Sequence, residues 1–206
     1  MKHLPPLLIL LLAIPTASAQ PDPATLTERV DALVQPYEAA RDFSGTILIA
    51  REGEELLRRS YGMANYEEGV GHTDNTRYLV GSVTKQFTAA AILLLEEAGQ
   101  LSLDDPLSRF VAGIPQGDSI TIHQLFSHTS GVARDPFPDY PDQVIARTLQ
   151  EVVDAISLRP REFEPGARMS YSNGGYVLLA AVIEEVSGVS YSEFLRTSIF
   201  EPLGMH

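Results

Sequence analysis

Residues that favour β-structure are concentrated in one short part of this chain, and this restricts its fold more than any other feature. Segment 43–50 (FSGTILIA) and segment 55–61 are separated by a glycine-containing turn, so they predict a β-hairpin. From residue 82 onward, apolar residues recur at helical spacing instead. An isolated hairpin is marginally stable and leaves both edges unpaired. We therefore predict an α+β fold, and we expect the sequence to end before all the strands that this fold needs.

Capping residues and glycines predict where the longer helices begin and end. Segment 25–41 begins with Thr25 and Glu28 at the spacing of a capping box, which predicts an amphipathic helix. Two strongly apolar segments, 87–95 and 175–185, predict buried helices that end in glycine.

Shorter elements are predicted from the same signals. Asp105 followed by Pro106 is typical of a helix start, because proline suits the first helical position. Thr148 and Glu151 form a second capping box, for a helix that ends near residue 158. The remaining predictions are a loop at 62–77, a helix that begins at Thr121 and a last short helix that begins at Ser190.

The first 19 residues have the pattern of a secretory signal peptide. A basic start at Lys2 precedes an apolar run at 7–13 and a small-residue cleavage motif at 17–19. The run is too short to span a bilayer, although a retained anchor is an alternative interpretation. We expect cleavage before Gln20, export to the periplasm or the extracellular space, and a single domain over 20–206.

Composition excludes several kinds of chemistry. The chain has no cysteine, which excludes disulfides, thiolate catalysis and cysteine-ligated zinc. Its net charge of −12 argues against nucleic-acid binding, since nothing would neutralise phosphates. Acidic pairs at 96–97 and 104–105 lie at predicted helix ends without a histidine partner, so we expect no metal site. No cofactor is called for.

Lys85 is the first candidate for catalysis. Lys2 and Lys85 are the only lysines, and apart from histidine every other basic residue is an arginine. Arginine does not release its proton in a protein, whereas a buried lysine can. Ser82 precedes Lys85 by three residues at a predicted helix N-terminus, so the amine can approach the hydroxyl and act as its base. The alternative is a helix-capping serine followed by a solvated lysine.

A second candidate motif is Tyr171-Ser172-Asn173. Ser172 is a good N-cap for the second buried helix, which places its neighbours at the mouth of that helix. Tyr171 could share a proton with Lys85, and Asn173 could hold a substrate carbonyl with its amide. The alternative is a tyrosine that packs beside an ordinary cap.

Taken together, these segments resemble the serine β-lactamase and penicillin-recognising family, most closely its class C, D-alanyl-D-alanine carboxypeptidase and esterase-like branch. The resemblance covers residues 43–205 and is carried by FSGTILIA, GSVTK, TIHQLFSHTSGV, EPGARMSYSN and IFEPLGM. It implies an antiparallel sheet with flanking helices plus a helical lobe, with the site between them. It also implies that Ser82 is the acylated nucleophile, that Lys85 and Tyr171 are a coupled acid–base pair, and that Asn173 positions substrate. In the family, the segment around His128 is a helix end and turn rather than a catalytic site.

One expected motif is missing. The family has a later Lys-Thr-Gly or His-x-Gly sequence, yet no lysine follows Lys85 and His206 is the last residue. We therefore expect the N-terminal part of the family domain, without the C-terminal strands. The first hypothesis is an exported serine hydrolase that acts on an amide, ester or β-lactam carbonyl of a small molecule or peptide. The alternative is a truncated, inactive protein that binds peptidoglycan peptides or a partner. The sequence decides neither the substrate nor the oligomeric state.

Overall fold

The structure, a computed structural model, describes residues 23–137 and 145–205. These form two compact units, one that ends at Tyr78 and one that begins at Leu79. The predicted signal peptide at 1–19 lies outside the described residues. In the described ranges, no helix is long and apolar enough to cross a membrane.

The first unit contains the predicted hairpin. Strand β1 (Gly45–Arg51) pairs antiparallel with β2 (Glu54–Tyr61), with a register shift after Ile49. Helix α1 (Pro23–Ala39) packs on β2. There the Asp31 carboxylate accepts hydrogen bonds from the Arg59 and Tyr61 side chains, both at 2.7 Å. The hairpin prediction is confirmed.

Two local predictions in this unit are wrong. Thr25 lies inside α1, which already begins at Pro23, because proline is favourable in a first turn where its missing N–H is not needed. Segment 62–77, predicted as a loop, contains the antiparallel strands β3 (Met63–Asn65) and β4 (Val70–Gly71). Strands of two or three residues are too short to show an alternating pattern.

The second unit is helical and is built around one buried helix. Within residues 79–137 and 145–205 its helices are α2 (Thr84–Glu97), α3 (Ile122–Phe126), α4 (Leu149–Ser157), α5 (Asn173–Ser187) and α6 (Tyr191–Leu195), followed by a π-helical turn at Arg196–Phe200. Helix α5 packs against each of the other four. Leu178, Leu179, Val182 and Ile183 of α5 are fully buried, and each contributes about 1.5–3 kcal/mol to folding. Both predicted helices are confirmed, and α5 is buried as expected, whereas α2 buries Ala91, Ile92 and Leu95 but exposes Leu93 and Leu94.

Capping residues fix the shorter helices. Thr121 and Thr148 each form a complete capping box, in which the threonine hydroxyl accepts from the third helical N–H and that residue's side chain accepts in return. The predicted helix start at Pro106 is wrong. Pro106 is extended and forms an isolated bridge with Thr121, so the chain makes only a 3₁₀ turn at Leu107–Arg109.

Candidate active site

The serine of the first motif lies at the entrance to a helix. Ser82 is in the 3₁₀ turn Gly81–Val83, which leads directly into α2, and it is exposed. Lys85 follows in the first turn of α2 and is half-buried. Ser82 and Lys85 therefore lie at a helix N-terminus, as predicted.

Ser172 places the second motif at the N-terminus of α5. Its hydroxyl accepts from the Gly175 N–H at 2.9 Å and donates to the Ala133 carbonyl at 3.0 Å. The Ser172 side chain is buried, and its hydroxyl is satisfied at both ends. Tyr171 and Asn173 are thereby held on either side of a rigid cap.

A turn at 128–131 is hydrogen-bonded to the loop that leads to Tyr171. Gly131 has φ of +75°, and a Cβ there would lie 2.0 Å from the Phe163 carbonyl oxygen, so only glycine fits. Backbone hydrogen bonds join this turn to the loop at 162–170: Glu162 N–H to Gly131 O, Gly166 N–H to Thr129 O and Ser170 N–H to His128 O. The turn and the loop, which are separate in sequence, therefore position Tyr171 together.

The four predicted site residues converge. The Tyr171 hydroxyl donates to Ser82 Oγ at 2.6 Å, and Lys85 Nζ donates to Asn173 Oδ1 at 2.7 Å. Lys85 Nζ also lies 4.8 Å from the ring centre of Tyr171 and 5.4 Å from that of Tyr176. At these distances the ammonium interacts favourably with both ring faces.

The charges at this position favour ionisation of the phenol. Interaction with the Lys85 ammonium, and then the hydrogen bond with Ser82, lower the pKa of Tyr171 below the ordinary tyrosine value. Arg134, whose guanidinium lies 5.5 Å from the Tyr171 ring centre, acts in the same direction. By contrast, burial raises the pKa of Tyr176. Of the two tyrosines beside Lys85, Tyr171 is thus the one suited to accept a proton.

His128 occupies a supporting position. Its Nδ1 accepts the Ser172 backbone N–H at 3.2 Å, which places the proton of the neutral ring on Nε2. The ring packs against Tyr171 at 4.6 Å and Tyr176 at 5.0 Å between centres. Burial, and then the nearby Lys85 charge, lower the pKa of His128. These contacts agree with the interpretation of His128 as a structural residue.

Asp135 is a residue that sequence reasoning missed. Its Oδ1 accepts from Asn173 Nδ2 at 2.6 Å, across 38 residues of sequence. The residue lies in a loop and carries no motif or periodic pattern that would single it out.

No cluster of three potential metal ligands occurs in residues 23–137 and 145–205.

Comparison with known proteins identifies the family. The family model described as Beta-lactamase matches residues 30–206. The chain belongs to the Beta-lactamase family. Solved structures that resemble it have the β-lactamase/transpeptidase-like fold, which confirms the predicted α+β fold class.

Similar members of the Beta-lactamase family include proteins with several activities. Penicillin-binding protein 4* of Bacillus subtilis (strain 168) is 37% identical over 188 residues, which are 87% of this chain and 40% of that protein. Teichoic acid D-alanine hydrolase of Staphylococcus aureus is 31% identical over 170 residues, 82% of this chain and 42% of that protein. The structure of D-amino acid amidase from Ochrobactrum anthropi SV3 has a TM-score of 0.77 and 29% identity, and covers 86% of this chain and 50% of the amidase. The chain thus spans about two-fifths of the curated relatives that it matches.

Proposed function

We propose that this protein is an exported serine hydrolase that acts through an acyl-enzyme on an amide, ester or β-lactam carbonyl. The observation that carries the proposal is the 2.6 Å hydrogen bond between Tyr171 and Ser82, beside a lysine that contacts the tyrosine ring. A serine hydroxyl is a weak nucleophile until a neighbouring base takes its proton. Here the candidate base already lies at hydrogen-bond distance from the hydroxyl.

Acylation begins with ionised Tyr171. The phenolate accepts the Ser82 proton, and Oγ attacks the substrate carbonyl to form a tetrahedral intermediate. The lowered pKa of Tyr171 increases the phenolate fraction at a given pH, and the Lys85 ammonium stabilises that charge. Collapse of the intermediate breaks the bond to the leaving group, which takes the proton from Tyr171. Lys85 and Tyr171 thus act as a coupled acid–base pair.

Two groups orient the substrate. The amide nitrogen of Asn173 has two protons, and one of them goes to Asp135. The other can bind a carbonyl of the substrate. The backbone N–H of Ser82 lies at the entrance to α2, where the helix dipole favours developing negative charge, so it is a suitable oxyanion donor. Water then gives a proton to Tyr171 and attacks the acyl-enzyme, and the bond to Ser82 breaks as Oγ takes that proton back from Tyr171.

The substrate class follows from this chemistry and from the relatives. The relatives include a penicillin-binding protein, a teichoic acid D-alanine hydrolase and a D-amino acid amidase. Esters, amides and β-lactams all present a carbonyl to a serine nucleophile. We therefore include all three and propose a small-molecule or peptide substrate outside the cytoplasm, in agreement with the signal-peptide pattern at 1–19.

The test compares two variants of the full-length protein, Ser82→Ala and the control Ser157→Ala. Hydrolysis is measured with a p-nitrophenyl ester, a D-alanine p-nitroanilide and a chromogenic cephalosporin. Ser82→Ala should abolish turnover of every substrate that the parent protein cleaves. Ser157→Ala removes a hydroxyl that bonds Asp154 O within α4 and should leave the rates unchanged. Turnover that survives Ser82→Ala would refute the proposal, and a parent protein that binds substrates without turnover would favour the binding-protein alternative.

A further inference from the structure

We propose that Asp135 is a positioning residue that sets the orientation of the Asn173 amide and, through it, the position of Lys85. This inference rests on the proposed function, because it assigns a role within the same site. Its evidence is the chain of contacts Asp135–Asn173–Lys85, with one hydrogen bond of 2.6 Å and one of 2.7 Å.

The two neighbours of Asn173 permit one amide orientation. The two ends of an asparagine amide have nearly the same shape, so the hydrogen-bond partners decide which end is oxygen. A lysine ammonium can only donate, and an ionised carboxylate can only accept. Oxygen must therefore face Lys85, and nitrogen must face Asp135. A flipped amide would place its NH₂ group against the ammonium and its oxygen against the carboxylate.

Asp135 is held in place by the start of α5. The Arg134 carbonyl accepts the backbone N–H groups of Asn173 at 2.8 Å and of Gly174 at 3.0 Å. This places the loop across the helix N-terminus, where a carboxylate is stabilised by the helix dipole. The Asp135 side chain is partly exposed, and its other oxygen lies 3.4 Å from Arg134 Nε. The carboxylate is therefore anchored through the backbone rather than by deep burial.

Without Asp135, the Asn173 amide would have one fixed partner in place of two. Lys85 would then lose a defined acceptor, and its distance from Tyr171 would vary. The reaction needs Lys85 and Tyr171 in a fixed relation, and the same Asn173 amide is proposed to bind a carbonyl of the substrate. Loss of Asp135 should therefore lower kcat, through Lys85, and also raise KM, because the amide that binds substrate loses its fixed orientation.

A double-mutant cycle distinguishes this role from general structural support. In Asn173→Asp, two carboxylates face each other at hydrogen-bond distance, which should impair the enzyme. Adding Asp135→Asn restores a matched pair, because the new amide donates to the new carboxylate, which still accepts from Lys85. Asp135→Asn should therefore lower kcat in the parent protein and raise it in the Asn173→Asp background. The coupling should be about tenfold or more.

The kinetic arm uses p-nitrophenyl butyrate and a fluorescent penicillin as probes, with Asp104→Asn as the control. Asp104 is exposed and lies in the loop after α2, so the control removes the same charge away from Asn173 and should leave kcat unchanged. An effect of Asp135→Asn with the same sign and size in both backgrounds would overturn the proposal.

A second arm does not depend on turnover, so it separates this inference from the proposed function. Labelling with ¹⁵N-asparagine restricts the spectrum to asparagine amides, which within residues 1–206 are those of Asn65, Asn75 and Asn173. The Asn173 pair is assigned by its loss in Asn173→Asp. Asp135→Leu should shift this pair upfield, while Asp104→Leu should leave it in place. An Asn173 pair that does not respond to Asp135→Leu would refute the contact, whatever the outcome for Ser82.

Discussion

Gly174→Ala should destabilise the protein, although alanine is the better helix former. A Cβ at Gly174 would lie 2.7 Å from the Ala133 carbonyl oxygen and 3.3 Å from Val132 Cγ1. Carbon–oxygen contacts are normally about 3.3 Å or longer, so the oxygen must retreat by about 0.6 Å. The same oxygen accepts the Ser172 hydroxyl at 3.0 Å, and that bond would lengthen beyond useful range.

The expected size follows from three contributions. Overpacking costs about 1–3 kcal/mol, and the weakened hydrogen bond costs about 0.5–1.5 kcal/mol. The higher helix propensity of alanine offsets up to about 1 kcal/mol. The free energy of unfolding should therefore fall by about 0.5–4.5 kcal/mol.

Gly175→Ala is the matched control. It makes the same change in the next residue of α5, where the nearest atom, Ser172 Oγ, would lie 3.4 Å from the new Cβ. Its free energy of unfolding should stay within about 1 kcal/mol of the parent value. Urea denaturation followed by circular dichroism measures both variants. If Gly174→Ala were as stable as Gly175→Ala, the close packing of segment 133–135 on α5 would be wrong.

Three further predictions concern ionisation and capping. Tyrosinate absorbance should show one tyrosine that ionises below the others, and Tyr171→Phe should remove that step. Because the pKa of Tyr171 is lowered by folding, stability should also rise as pH increases through this pKa towards about 10, and the variant should lack that rise. Folding lowers the pKa of His128, so as pH falls the imidazole takes up a proton in the unfolded chain before it does in the folded one. The free energy of unfolding of the parent should therefore fall as pH drops below about 6.5, and it should fall less in His128→Gln. Urea midpoints at about pH 7.5 and about pH 5 test this, and equal slopes in parent and variant would contradict it. Thr148→Ala should cost about 1 kcal/mol, and Thr148→Ser should be near the parent, since serine also caps; equal urea stability of the two variants would count against the capping box.

The elements that sequence predicted well are those with strong local signals. Helices α2 and α5 are long and apolar and have clear end signals, and the hairpin has β-forming residues on both sides of a turn. The helix start at Thr121 and the capping box at Thr148 also form as expected, because their hydrogen bonds lie within one turn. At Thr25 the same signal failed, since the helix had already begun at Pro23.

The candidate site was predicted in part. The motifs and the family resemblance selected Ser82, Lys85, Tyr171 and Asn173, and the structure brings all four together, while their catalytic roles stay proposals. The contacts of Asp135 and His128 with the second motif span 38 and 44 residues. They depend on how segment 128–135 packs against α5 and against the loop at 162–170. No local sequence pattern encodes that packing.

The most direct test of the central claim is the site of acylation. Trypsin should release peptide 78–85 (YLVGSVTK), which contains Ser82 as its single serine. After brief treatment of the full-length protein with benzylpenicillin or an activated ester, this peptide should gain the mass of the acyl group. With penicillin, ring opening adds the whole molecule. The gain should be absent in Ser82→Ala. Hydrolysis that proceeds without modification of this peptide, or with modification of another one, would contradict the account.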